Sequence, residues 1–150
     1  MGTMDTINIV TEAMSQALEK MAFLDAESFD EESEAPSIII TADIDFNGPI
    51  CGTIRMVASV DFAQTLAENI SGMFELTEEQ CEDAVKELVN VTCGLVLPMI
   101  ATSEADVFDL TVPHLAKSED RMDWDHFVSQ EEVTVLNVEG HAVATRLILK

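Results

Sequence analysis

Thr77–Ala101, TEEQCEDAVKELVNVTCGLVLPMIA, is the stretch on which the reading of this chain turns. It reads as one long helix. Thr77 can cap the amino end, and Gln80, three residues later, completes a capping box. Glu78, Glu79, Glu82 and Asp83 crowd the first turns, where the helix dipole favours negative charge. Advancing about 100° per residue, Ala84, Leu88, Val91, Leu95 and Met99 fall on one side. Val85, Val89, Val96 and Ile100 widen that side into a broad apolar face. A polar stripe remains, made of Asp83, Glu87, Asn90 and Gly94. These four lie within roughly 60° of one another on the helical wheel, so one surface carries them all.

Two members of the stripe are poor choices for a helix as such. Asn competes with the backbone for its hydrogen bonds. Gly in a helix interior costs about 1 kcal/mol relative to Ala. One turn beyond Asn90, Gly94 leaves a bare patch where another body could approach the backbone. A carboxylate, a carboxamide and a gap in line suit a docking surface with chemistry in it. By itself the stripe fits a solvated helix face with one tolerated Asn and one close-packing Gly as well, and such faces are commoner.

Composition narrows the classes. A chain of 150 residues with 47% hydrophobic content suits one domain, residues 1–150, with a sizeable core. With only 5% aromatic residues, that core must come from Val, Ile, Leu, Met and Ala. A net charge of -22, from 29 acidic and 7 basic residues, argues against nucleic acid or an anionic membrane as partner. Cys51, Cys81 and Cys93 contain no CxxC pair and are odd in number, so they read as free thiols in a reducing compartment. No basic region followed by an apolar run opens the chain, and Val91–Ala101 is too short to span a bilayer. The cytoplasm is the expected location.

Around the long helix, the pattern predicts an α+β chain. Ile7, Val10, Met14, Ala17, Leu18 and Met21 give a first amphipathic helix from Thr6 to about Leu24. Residues 25–36, DAESFDEESEAP, carry six carboxylates and read as a surface loop. Ser37–Phe46 is β-branched and alternating; Asn47-Gly48-Pro49 turns it into a second strand, Ile50–Ala58, where Gly52 suggests close backbone approach or a bulge. Ser59 or Asp61 caps a short helix, Phe62–Ile70, closed by Ser71-Gly72. Beyond the long helix, Val107–Val112 reads as a strand stopped by Pro113, and 114–129 as loop with one helical turn. Glu132–Val138 and His141–Leu149 form a hairpin about Glu139-Gly140. Gly-x4-Thr-Ile-Arg at 48–55 echoes Gly-x4-Thr-Arg at 140–146, as a helix-plus-hairpin unit used twice would.

Other chemistry finds little support. His114, His126 and His141 lack metal-ligand spacing, and no GxSxG, GxxxxGK[ST] or GxGxxG is present. Asp123-Trp124-Asp125-His126 reads as a surface turn anchored by a buried Trp.

Asp83, Glu87, Asn90 and Gly94, in the order D-AVK-E-LV-N-VTC-G, resemble the active-site helix of the CheC/CheX/FliY chemotaxis phosphatases. Gly48-PIC-Gly52 opening a strand, FAQTLAENISGM at 62–73 and the terminal hairpin extend the resemblance over most of the chain. Some members carry the motif twice; on the first helix, Glu12-Ala13-Met14-Ser15 has Ser in place of the Asn. A single site makes the chain most similar to the CheX branch. The resemblance implies a CheC-like/CheX-like fold, with long helices packed on a mostly antiparallel sheet. It further implies hydrolysis of the aspartyl phosphate of a CheY-type response regulator in bacterial chemotaxis or two-component signalling. Asn90 would orient the attacking water, Glu87 would pair with the receiver's active-site Lys, and Asp83 and Gly94 would lie in the contact surface. No cofactor of its own is implied, because the Mg²⁺ belongs to the phosphorylated receiver. A homodimer extending its sheet across the interface is also implied, and the strong carboxyl-terminal strands look suited to supply the edge. From a different class, the competing expectation is a non-catalytic receiver-binding adaptor or flagellar-switch component.

Overall fold

A computed structural model describes residues 5–28 and 36–150 of the chain, so residues 29–35 of the acidic run lie outside the described residues. Among the described residues, four helices and seven strands follow one another: α1 Thr6–Ala22, β1 Ala26–Ser28, β2 Ile39–Asn47, β3 Gly52–Ser59, α2 Val60–Ser71, α3 Glu78–Ile100, β4 Asp109–Leu110, β5 His114–Ser118, α4 Arg121–Val128, β6 Val133–Val138 and β7 His141–Leu149. The sheet runs β1-β6-β7-β3-β2-β4, with β5 also paired to β2, and every pairing is antiparallel.

Two hairpins make the centre of this sheet. β2 and β3 pair from Ile39↔Ser59 to Phe46↔Gly52, and β6 and β7 pair around a two-residue turn. Both turn residues, Glu139 and Gly140, have positive φ, which matches the twist of the flanking strands. The hairpins join through β3 and β7, where Arg55 stands opposite Arg146. The two arginines of the sequence echo are thus direct neighbours across the seam, but the helices that precede the two hairpins, α1 and α4, lie on opposite faces of the sheet.

Alternation along the strands divides the core. Ile40, Ala42, Ile44 and Phe46 of β2 face the same side as Ile54, Met56 and Ala58 of β3 and Val143 and Leu147 of β7. Helices α1, α2 and α3 cover that face, burying Val10, Met14, Leu18, Phe62 and Leu66 against it. Each such side chain contributes about 1.5–3 kcal/mol through its removal from water. On the opposite face, Trp124 and Phe127 of α4 pack on Ile39, Val57, Ala142 and Ala144. Trp124 is buried as the sequence suggests, but its setting is a helix capped by Asp120.

Several expectations need correction. Residues 114–129 are not mainly loop: they form β5 and α4. The expected strand Val107–Val112 is reduced to the two residues of β4. Within the run read as loop, Ala26–Ser28 pairs with β6 at Leu136–Val138. That pairing covers the outer side of the terminal hairpin, so its strands lie inside the sheet, and among the described residues the outermost strands are β1 and, on the other side, β4 and β5. Ile7 stays exposed while Ala13 and Ala22 take buried places on α1. Cys93 is buried, and burial pushes its thiol up to about 12, whereas Cys51 and Cys81 are half-buried.

Gly52 bears out the close approach expected of it. A Cβ there would lie 2.5 Å from the Ile148 carbonyl oxygen and 2.6 Å from the Phe46 ring. Because one of these neighbours is backbone in the central seam, relief requires the strands to part. Gly52→Ala should therefore lower stability by about 1–3 kcal/mol, read as a lower denaturation midpoint in urea. An unchanged midpoint would contradict this packing.

Candidate functional site

Helix α3 begins as its sequence demands. The Thr77 hydroxyl accepts from the Gln80 N–H at 3.2 Å, and Gln80 Oε1 accepts from the Thr77 N–H at 2.8 Å. Its core-facing side is made by Ala84, Val85, Leu88, Val89, Thr92, Cys93, Val96 and Ile100. The burial is centred slightly to one side of the expected face, since Val91, Leu95 and Met99 are only half-buried. Thr92 fits that interior because its hydroxyl donates to the Leu88 carbonyl at 2.7 Å, one turn earlier.

Opposite this face, Asp83, Glu87, Asn90 and Gly94 are all exposed. Among the described residues, the side chains of Glu87 and Asn90 have no hydrogen-bond or ion-pair partner. Outside the helix's own backbone, a Cβ at Gly94 would meet nothing within 4 Å. No contact within the fold therefore calls for glycine here. Pro98 adds to the oddity, since it has no N–H to give the Gly94 carbonyl four residues earlier.

The segment after α3 folds back beside the stripe. The Asp106 carboxylate accepts from the N–H groups of Thr102 and Ser103 and from the Thr102 hydroxyl. Those hydrogen bonds, the Thr102 N–H first, hold its carboxyl below the usual range. Phe108 then meets Phe46 edge-on, with ring centroids 6.2 Å apart, over Gly48, where a Cβ would come within 2.6 Å of the Phe108 ring. Farther on, the Thr111 hydroxyl accepts from the Asp45 N–H at 3.0 Å, and the Thr111 N–H donates to the Asp45 carbonyl at 3.0 Å. The result is a cleft of about 450 Å³ between Asp83, Lys86, Glu87 and Asn90 on α3 and Leu110, Thr111, Val112 and Pro113 across from them. A neighbouring hollow of about 780 Å³ runs on past Gly94, Leu97 and Pro98 to Phe108.

All four stripe residues thus share one open face, as the helical wheel requires. Lys86 and the wall Leu110–Pro113 were not among the sequence candidates. Phe108, Leu110 and Val112 alternate as a half-buried strand would, and only contact information shows that Leu110 and Val112 stay in solvent. On α1, Glu12 accepts from Gln16 Nε2 at 3.2 Å and Ser15 is half-buried, so the equivalent positions do not reproduce the exposed pair. His114, His126 and His141 sit on three different elements, and His141 lies against Thr65 and Phe62. Among the described residues, no three His, Cys, Asp or Glu side chains are placed to hold a metal ion.

The family model described as chemotaxis phosphatase CheX matches residues 40–135, a span that includes α3, the cleft and the β3 side of the central seam. The chain belongs to the CheX family. Solved structures agree on the fold. CheX of Vibrio vulnificus is 16% identical, with a TM-score of 0.71 over 99% of this chain and 100% of that one. CheX of Desulfovibrio desulfuricans is 12% identical, with a TM-score of 0.69 over 98% and 100%. The CheX–CheY–BeF3–Mg²⁺ complex from Borrelia burgdorferi matches at 17% identity and a TM-score of 0.64, over 99% of both chains. No curated protein matches at a significant level. No helix among the described residues is long and apolar enough to cross a membrane.

Gly94 offers a direct test of the idea that the fold does not need it. Gly94→Ala should raise stability by about 1 kcal/mol, the usual helix-interior difference, seen as a higher melting temperature. A lower one would mean that the fold itself requires glycine at this turn.

Proposed function

We propose that this member of the CheX family hydrolyses the aspartyl phosphate of a CheY-type response regulator. The observation that carries the reading is the exposed, unpartnered pair Glu87 and Asn90, three residues apart on α3 beside the bare backbone of Gly94. Unsatisfied polar groups on a rigid helix cost no rearrangement when a partner arrives. The relative from Borrelia burgdorferi, solved together with CheY, BeF3 and Mg²⁺, supports a receiver as the partner class.

The chemistry asks little of the helper. Phosphoryl transfer responds mainly to positioning and to the charge around the transferred group. The receiver brings the phosphoryl group, its Mg²⁺ and a lysine. The Asn90 carboxamide both accepts and donates, so it can hold water in line with phosphorus without adding charge near the phosphoryl oxygens. Glu87, one turn earlier, pairs with the receiver's lysine and sets the helix in register. Asp83 and Gly94 extend the contact to either side. No residue of this chain acts as nucleophile, and this chain supplies no cofactor.

The two roles separate by experiment. Asn90→Ala should leave receiver affinity largely intact and lower the rate of phosphate release by about 10²-fold or more. Glu87→Ala should weaken affinity as well as turnover. Thermal melts of both should stay within about 0.5 kcal/mol of the parent, because both side chains are exposed. Normal turnover by Asn90→Ala would remove the catalytic assignment and favour a non-catalytic adaptor.

The reading includes a homodimer paired along a sheet edge. Among the described residues, β1 and the β4/β5 side are the edges available for that pairing. Light scattering at micromolar concentration should give about twice the chain mass of 16.4 kDa. A particle of chain mass would overturn the dimer and leave the catalytic reading standing.

A further inference from the structure

Four exposed large apolar side chains flank the polar stripe of α3. Met73 is 60% exposed and Ile70 40%, and both line one hollow with Asp83 and Glu87. Across α3, Val112 is 83% exposed and Leu110 42%, and both line the cleft with Glu87 and Asn90. The polar stripe therefore runs between two apolar walls. Neither wall hangs loose. Met73 follows the Gly72 cap, where the Gly72 N–H donates to the Glu68 carbonyl at 2.8 Å, and its own N–H donates to the Ser71 hydroxyl. Leu110 and Val112 flank Thr111, which is locked to Asp45 from both its hydroxyl and its backbone.

Apolar groups held rigidly in water around a polar centre mark a contact surface. The charge of the centre selects the occupant. Asp83 and Glu87 outweigh Lys86 in the cleft and Asn90 adds no charge, so the centre is anionic on balance and suits a cationic group in the partner. A metal-bound phosphoryl group beside a lysine meets that requirement. We propose that Ile70 and Met73 on one side and Leu110 and Val112 on the other are the walls of a docking surface that seats the phosphorylated receiver domain over the stripe, a proposal that rests on the hydrolase reading above. The walls supply affinity and orientation, and the stripe supplies the chemistry. Walls on both sides also fix the approach direction, which a single helix could not do.

The division of labour gives the test. The probe is a CheY-type receiver from the same genome, loaded with Mg²⁺ and beryllofluoride for calorimetry and with phosphate for kinetics. Met73→Ser and Val112→Ser should each raise Kd and KM by about tenfold, as loss of an interface anchor does. Their kcat should stay within about twofold, because neither side chain touches the water that Asn90 holds. Met122→Ser, which removes an even more exposed methionine on α4 away from the stripe, should match the parent. Light scattering on every variant reads the oligomeric state.

Parent-like Kd in both wall variants overturns the proposal, as does a parent protein that binds no receiver. So does a wall variant that changes particle size while keeping receiver affinity, since the walls would then be an interface between copies. If Asn90→Ala turns over normally while the wall variants lose affinity, hydrolysis by the stripe fails and the docking surface stands. If Asn90→Ala is inactive while the wall variants bind as the parent does, the docking surface fails and the hydrolase reading stands.

Discussion

Everything functional in this fold depends on how α3 is rotated about its own axis. Val85, Leu88, Val89, Cys93, Val96 and Ile100 must enter the core between the sheet and helices α1 and α2. Turning the helix by one residue, about 100°, would pull much of that face into solvent and drive carboxylates inward. The penalty makes the rotation non-negotiable, and with it the direction in which Asp83, Glu87, Asn90 and Gly94 point. A hydrophobic contact on one side thus aims a polar group on the other. Thr92 shows how tightly the inner face is specified, because its hydroxyl finds a backbone carbonyl of its own helix rather than water.

The sheet serves the same end at longer range. Two hairpins meet at β3 and β7, so the seam between them lies beneath the helices. On the outer face, Asp43 accepts from Arg55 at 2.6 Å and Gln130 accepts from Arg146 at 2.9 Å, which separates the partners of two arginines that face each other across the seam. The Asp43–Arg55 pair is partly exposed and worth on the order of 1 kcal/mol at most. Its value lies in register rather than stability. Lys117 of β5 donates to Glu78 and pairs with Glu82 at 3.5 Å, tying a sheet edge to the first turn of α3. That contact holds the Glu78 carboxyl below its usual range and the Lys117 ammonium above its own.

Stability and activity pull apart at the stripe. A glycine that packs against nothing, a proline within the last turns and two polar groups without partners are each unfavourable for the isolated chain. They become sensible together if another surface completes them. The exposed Met73, Leu110 and Val112 beside them have the same character. Local departures from good folding practice concentrate where a partner is expected, as they do when a surface is shaped for contact.

Much of this was legible before any coordinates. The capping box, the carboxylates of the first turn and the 3.6-residue period determine α3 and its four-residue stripe by local rules that act within a few turns. Both hairpins were likewise readable, because Asn-Gly-Pro and Glu-Gly turns act over two or three residues. Gly52 announced a close approach, although only the sheet shows that the neighbours are Phe46 and the Ile148 carbonyl. Other features depend on residues far apart in the chain. β1 and β5 exist because β6 and β2 offer them unpaired backbone, not because Ala26–Ser28 or His114–Ser118 favour extension strongly. The same holds for the cleft: Phe108, Leu110 and Val112 alternate like a buried strand, yet Phe108 alone is pinned, against Phe46, and the other two are left in water beside Asn90. Burial is decided by what stands opposite, and a one-dimensional pattern cannot say what that is.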